Sequence, residues 1–169
     1  YAGSLVDERL LDGSRAEKYN SAGMDFDAVM DVMIQAWNEG KQVVRLHTGD
    51  PAMYGAVGEQ FRALDARGIP YEVVPGVSSV FAAAAALKTE FTMPGVSQTA
   101  ILTRAAGRTP VPEGEELTGL AAHGSTLCLF LSVGNMRSVT DKLLAAGRSP
   151  ETPAAVVYRA GWGNQQIVP

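Results

Sequence analysis

Thr48-Gly49-Asp50-Pro51-Ala52-Met53-Tyr54-Gly55 sets two glycines, a proline and a carboxylate between a β-branched segment and a helical pattern. Glycine lets the backbone come close to a small molecule, and proline fixes the direction of the turn. Three further turns, at residues 75–79, 131–134 and 158–162, have the same backbone-rich character. In a sheet of parallel strands all four would emerge at the carboxyl edge, where open α/β sheets bind ligands. Singly each reads as an ordinary tight turn. Together they fit a ligand held by main-chain groups and apolar side chains. Asp50 has two readings, because aspartate before proline either hydrogen-bonds its own backbone or reaches a ligand directly. Arg104 and Arg108, in the polar loop of residues 104–114, form a cationic pair. Arginine grips carboxylates through two parallel hydrogen bonds, although a polar loop with two arginines is also a common solvated surface.

Other chemistries lack their residues. His47 and His123 are the only histidines, far apart and without ligand spacing, so no metal site is expected. His47 reads as a residue packed at a strand end. There is no G-x-S-x-G serine motif, no dinucleotide fingerprint at Gly55-Ala56-Val57-Gly58 and no P-loop lysine after it. The single cysteine, Cys128, sits in the apolar run 127–131 and reads as a small buried hydrophobe. A lone cysteine fits a reducing cytoplasm. The net charge of −4 and pI of about 5.2 argue against a nucleic-acid partner. No apolar run approaches the roughly 18 residues of a membrane span, and no signal-peptide pattern opens the sequence, so a cytoplasmic protein is expected. With 169 residues, 46% hydrophobic and 19% charged, the chain reads as globular, one domain or two small ones.

These turns need elements to hold them. Apolar residues at 28, 29, 32, 33, 36 and 37 predict a helix over 27–39, capped by Asp25 or Asp27 and stopped by Gly40. Strands are expected at 42–46 and 71–74, with a helix over 53–67 between them and an alanine-rich helix over 80–87 after Ser78 or Ser79. Thr92-Met93-Pro94-Gly95-Val96 reads as a linker. Beyond it the spacing predicts a strand at 99–103, a short helix at 115–122, a strand at 126–131, a helix over 136–146 and a strand at 154–158. Strands alternating with helices indicate βαβ units and parallel sheets, here as two α/β domains, 1–94 and 95–169, with a cleft between them. Both ends read as interior sequence, which suggests a piece of a longer protein.

These segments resemble the tetrapyrrole methylases of cobalamin biosynthesis. The run 44–55 is similar to that family's G-D-P loop, and 74–84 to its P-G-[VI]-[ST]-S segment. Residues 101–113, Ile-Leu-Thr-Arg-Ala-Ala-Gly-Arg-Thr-Pro-Val-Pro-Glu, resemble the members that act on ring carbon 11. The family opens with a strand and a G-x-G-P-G-D-P type loop and continues beyond Val168. Neither segment lies within these 169 residues.

The resemblance implies the tetrapyrrole methylase fold (class III SAM methyltransferase), with S-adenosylmethionine bound between two α/β domains, S-adenosylhomocysteine as product, and a homodimer. It places cofactor contacts at Thr48, Gly49, Asp50, Met53, Ser78, Ser79, Leu131 and Ala160. The implied substrate is precorrin-4 or its cobalt-bearing counterpart, methylated at carbon 11. An acidic protein must offset its own field to bind such a polycarboxylate, which makes Arg104 and Arg108 the candidate substrate contacts, Arg159 a weaker one, and Tyr54 a further contact. Methyl transfer from a sulfonium needs alignment more than acid or base, so no catalytic side chain is singled out. The competing expectations are another methylase of the family, acting on uroporphyrinogen-III or another precorrin, and a truncated non-catalytic remnant.

Overall fold

A computed structural model describes all residues except Ser4 and Arg108. The chain divides into two compact units, Tyr1–Phe81 and Ala82–Pro169. The sequence places the linker later, at Pro94-Gly95.

In the first unit, helix α1 (Phe26–Asn38) starts where Asp25 accepts the Ala28 N–H at 2.9 Å, satisfying one of the free donors of the first turn. It stops before Gly40, whose φ of +74° a side chain would resist. Met30 is its buried residue. Helix α2 (Val57–Asp65) buries Gln60 and Leu64. It begins later than the helical period suggests, because Tyr54 and Ala56 both adopt left-handed backbone and turn the chain first. Phe61 of α2 stacks on Tyr71 at 4.9 Å between ring centroids, tying the helix to the 71–74 segment. The expected strands at 42–46 and 71–74 form no ladder. β-branched residues suit a pleated surface, but a strand exists only with a hydrogen-bonded neighbour, and neither segment has one among the described residues. Val44, Val73 and Val74 accordingly stay exposed.

Helix α3 (Ser79–Leu87) spans the division between the units. In the second unit, β1 (Ala100–Arg104) and β2 (Thr126–Phe130) pair in parallel, Ala100 opposite Thr126 and Arg104 opposite Phe130. The crossover carries the short helix α4 (Leu117–Ala121), which packs on α5 (Met136–Ala145). Leu117, Val139 and Ala105 form the buried centre, with Leu127, Leu129 and Leu143 packed around it. Cys128 is half-buried and free, and burial pushes its thiol pKa up. Arg148 donates to the carbonyls of Ala121 and Ser125, holding the end of α4 to the start of β2.

The last expected strand is present as β3 (Val156–Tyr158), but it pairs antiparallel with β4 (Gln166–Val168), a strand that the pattern of the sequence does not predict. The four turns therefore do not leave one parallel sheet. Among the described residues only 131–134 follows a parallel strand, and 158–162 lies inside a hairpin connection.

Candidate functional site

In the first unit, two of the turns are built against each other. The Asp50 carboxylate accepts the Ala52 N–H at 2.9 Å with Oδ1 and the Gly76 N–H at 2.9 Å with Oδ2. One oxygen shapes its own turn, and the other joins a residue 26 positions away. Gly76 and then Ala52, as donors, hold the Asp50 pKa below the usual carboxylate value. The backbones touch closely. A Cβ on Gly76 would lie 2.1 Å from the Gly49 carbonyl oxygen, and one on Gly49 would lie 3.3 Å from the Ser79 nitrogen. Gly55 is equally confined, since its Cβ would meet the Pro51 carbonyl oxygen at 2.2 Å. Glycine at these positions answers to backbone crossing backbone.

This arrangement brings together Thr48, Gly49, Asp50, Ser78 and Ser79. Ser78 is buried and Thr48 and Ser79 are exposed. The hydroxyls of all three have no hydrogen-bond partner among the described residues. Met53 is half-buried, its N–H on the Asp50 carbonyl at 3.1 Å. Nearby in sequence, burial and then Arg45 lower the His47 pKa. Arg45 Nε is buried with no partner among the described residues.

In the second unit, β2 ends in a kink. Leu131 has φ of +54° and is 78% exposed, a conformation and a surface both unfavourable for leucine. Ser132, 3% exposed, holds it there: its Oγ accepts the Ala105 N–H at 2.9 Å and donates to the Phe130 carbonyl at 2.7 Å. The ends of β1 and β2 are thus locked by one hydroxyl. Ala160 is half-buried in the β3–β4 connection, next to Arg159, whose φ is +50°. Of the five non-glycine residues with positive φ among those described, Tyr54, Ala56, Leu131 and Arg159 lie on or beside the four turns; Lys88 does not. Strain of this kind persists where surrounding structure enforces it, commonly at ligand sites.

Arg104 donates to the carbonyls of Thr109 at 2.9 Å and Pro110 at 2.6 Å, so its guanidinium organises the loop in which it was expected to bind a substrate. Arg108 lies outside the described residues. Sequence reasoning missed Gly76 as the partner of Asp50, the Ser132 lock and the aromatic neighbours of Arg159. Only the last had a local signal, the spacing Tyr158-Arg159-Ala160-Gly161-Trp162. No group of histidine, cysteine or carboxylate side chains able to hold a metal occurs among the described residues. No helix among them is long and apolar enough to cross a membrane.

An α/β chain with paired glycine-rich loops and a strained strand end defines a ligand-binding fold whose class is settled by comparison. The chain belongs to the Tetrapyrrole (Corrin/Porphyrin) Methylases, whose family model matches residues 1–169. It is 54% identical over 170 residues to the cobalt-precorrin-4 C(11)-methyltransferase of Methanocaldococcus jannaschii, covering 99% of this chain and 66% of that protein. The precorrin-4 C(11)-methyltransferase of Pseudomonas aeruginosa is 47% identical, with 99% of this chain and 67% of that protein covered. Among solved structures, a cobalt precorrin-4 methyltransferase superposes with a TM-score of 0.95 at 50% identity, over 99% of this chain and 71% of that one. The uroporphyrin-III C-methyl transferase of Thermus thermophilus, complexed with S-adenosyl homocysteine, gives 0.79 at 29% identity, over 97% and 71%. The chain spans about two thirds of the length of the curated relatives it matches.

Proposed function

We propose that the protein is an S-adenosylmethionine-dependent C-methyltransferase acting at ring carbon 11 of precorrin-4 or of its cobalt-bearing counterpart in cobalamin biosynthesis. The observation that carries this reading is the 54% identity to a cobalt-precorrin-4 C(11)-methyltransferase across nearly the whole chain. The higher TM-score with the precorrin-4 enzyme, 0.95 against 0.79, favours it over uroporphyrinogen-III as substrate.

The residues fit the cofactor. Gly49 and Gly76 let two main chains meet without side chains between them, and the hydroxyls of Thr48, Ser78 and Ser79 border that crossing with free hydrogen-bonding capacity. On this reading Thr48, Gly49, Met53, Ser78 and Ser79 hold S-adenosylmethionine, with Leu131 and Ala160, and Asp50 acts through the loop pair it ties. When bound, the cofactor supplies an activated methyl group on a sulfonium, leaving S-adenosylhomocysteine. The protein's work is to orient an electron-rich ring carbon and exclude water, which accords with the absence of a required acid or base. Arg104, Arg108 and Tyr54 are the proposed substrate contacts. The domains of the reading are 1–94 and 95–169: a continuous hydrogen-bonded helix such as α3 is a poor place for a boundary, and Pro94-Gly95 a better one. A homodimer in the cytoplasm completes the reading, and sedimentation equilibrium tests the dimer.

The deciding experiment incubates the protein with methyl-labelled S-adenosylmethionine and, separately, precorrin-4, cobalt-precorrin-4 and uroporphyrinogen-III, then maps the label by NMR. Label at carbon 11 is expected. Label on uroporphyrinogen-III alone would replace the reading with the second methylase. Absence of transfer to all three, with S-adenosylhomocysteine still bound in calorimetry, would leave a binding remnant.

A further inference from the structure

Among the described cations of the second unit, Arg159 is the one packed against aromatic rings. Its guanidinium carbon lies 4.7 Å from the ring centroid of Trp162 and 5.2 Å from that of Tyr158. Two aromatic rings at these distances attract a cation and restrict its side chain, reducing the freedom that a long side chain loses on binding. The backbone enforces the pose. The Arg159 carbonyl accepts the Trp162 N–H at 3.0 Å, and the Gln165 side chain accepts the Gly161 N–H at 2.9 Å, closing the connection around a residue in left-handed conformation. No ion pair or side-chain hydrogen bond engages the guanidinium among the described residues. Arg148 and Arg104, by contrast, already donate to backbone carbonyls. A fork of N–H donors held by rings and left without an acceptor is a receptor for a planar, two-oxygen anion.

We infer that Arg159, clamped by Tyr158 and Trp162, is a substrate-specificity residue that receives a carboxylate side chain of the tetrapyrrole. The inference rests on the proposed function for its substrate, which carries acidic side chains. It adds a recognition element outside the loop of Arg104. An acidic protein, net −4, must supply positive potential locally to hold a polycarboxylate, and Arg159 is in no ion pair among the described residues.

The test uses two readouts on the same protein. In steady-state methyl transfer, Arg159→Gln should raise KM for the tetrapyrrole by about 10–100-fold, the range for losing a hydrogen bond to a charged group. The change in kcat should stay within about threefold, and S-adenosylhomocysteine affinity within about twofold. Arg159→Lys should recover little of KM, because an ammonium lacks the planar fork. The second readout is independent of turnover. In a Trp37→Phe background Trp162 is the sole tryptophan, and its fluorescence is titrated with uroporphyrin III and with the methyl ester of uroporphyrin III. The free acid should bind with Arg159-dependent quenching, and the ester should not.

An unchanged KM and equal quenching in Arg159→Gln would overturn the inference while leaving the methyltransferase reading intact. Arg159-dependent binding of the acid without any methyl transfer would overturn that reading and keep the carboxylate receptor. If Arg159→Gln alters the circular dichroism spectrum, Arg159→Lys becomes the deciding variant, and a KM equal to that of the parent protein then counts against the inference.

Discussion

Gly76→Ala should separate the two loops that Asp50 joins. The added Cβ would lie 2.1 Å from the Gly49 carbonyl oxygen, where real Cβ contacts essentially never fall below 3.0 Å, so the backbones must part by about 0.9 Å. Displaced by that amount, the 2.9 Å bond from the Gly76 N–H to Asp50 becomes about 3.8 Å, beyond hydrogen-bonding range. Forcing one methyl group into a packed crossing costs about 1–3 kcal/mol. That corresponds to a fall of roughly 4–8 °C in Tm per kcal/mol for a unit of the size of Tyr1–Phe81. Urea denaturation gives the first quantity, and hydrogen exchange at the residue 76 amide reports whether the link survives. The matched control is Gly119→Ala in α4, where nothing lies within 4 Å of the new Cβ and helix formation should improve by about 0.5–1 kcal/mol. A Gly76→Ala protein as stable as its parent, with amide 76 still protected, would refute the argument that backbone proximity dictates glycine here.

The remaining expectations concern single polar groups. Because its bonds to Gly76 and Ala52 lower the Asp50 pKa, its contribution is present above the ordinary carboxylate value and lost as pH falls through the lower folded one. Amide 76 protection should therefore collapse on acidification, and Asp50→Asn should flatten that dependence; an unchanged profile would argue against the link. His47, lowered by burial and then by Arg45, should titrate by NMR below the ordinary histidine value. The unfolded chain then takes up the proton first, so stability falls as pH drops through that ordinary value, and His47→Gln should remove this part of the slope. Ser132→Ala leaves the buried Ala105 N–H without its acceptor and should cost about 1–3 kcal/mol in urea denaturation. A loss indistinguishable from zero would show that a different group takes over the bond.

The helices were legible because their causes are local. The apolar stripe and Asp25 mark α1, and the period over 136–146 marks α5 to within a residue. The start of α2 was not, because left-handed Tyr54 and Ala56 are imposed by the loop and carry no glycine to signal them. Composition marked β1 and β2 and their parallel relation, yet failed at 42–46 and 71–74, since valines describe what a segment can do and pairing depends on a distant neighbour. β4 is only three residues long and exposed throughout, so it offers no period. At the site, the G-D-P loop and the 74–84 segment identified the family. What each residue does there depended on tertiary register: Asp50 finds Gly76 across α2, and Arg104 turns back on the carbonyls of its own loop.

That register has a consequence for transplantation. Asp50 completes its hydrogen bonds only when residue 76 is delivered to it by the intervening helix and the Phe61–Tyr71 stack. An eight-residue peptide copied from 48–55, or the same run grafted into another scaffold, keeps the accepting carboxylate and loses its Gly76 N–H donor. The smallest portable piece is the continuous stretch from the first loop through the second. Recombination or circular permutation that cuts between them should be tolerated far less well than one that cuts outside.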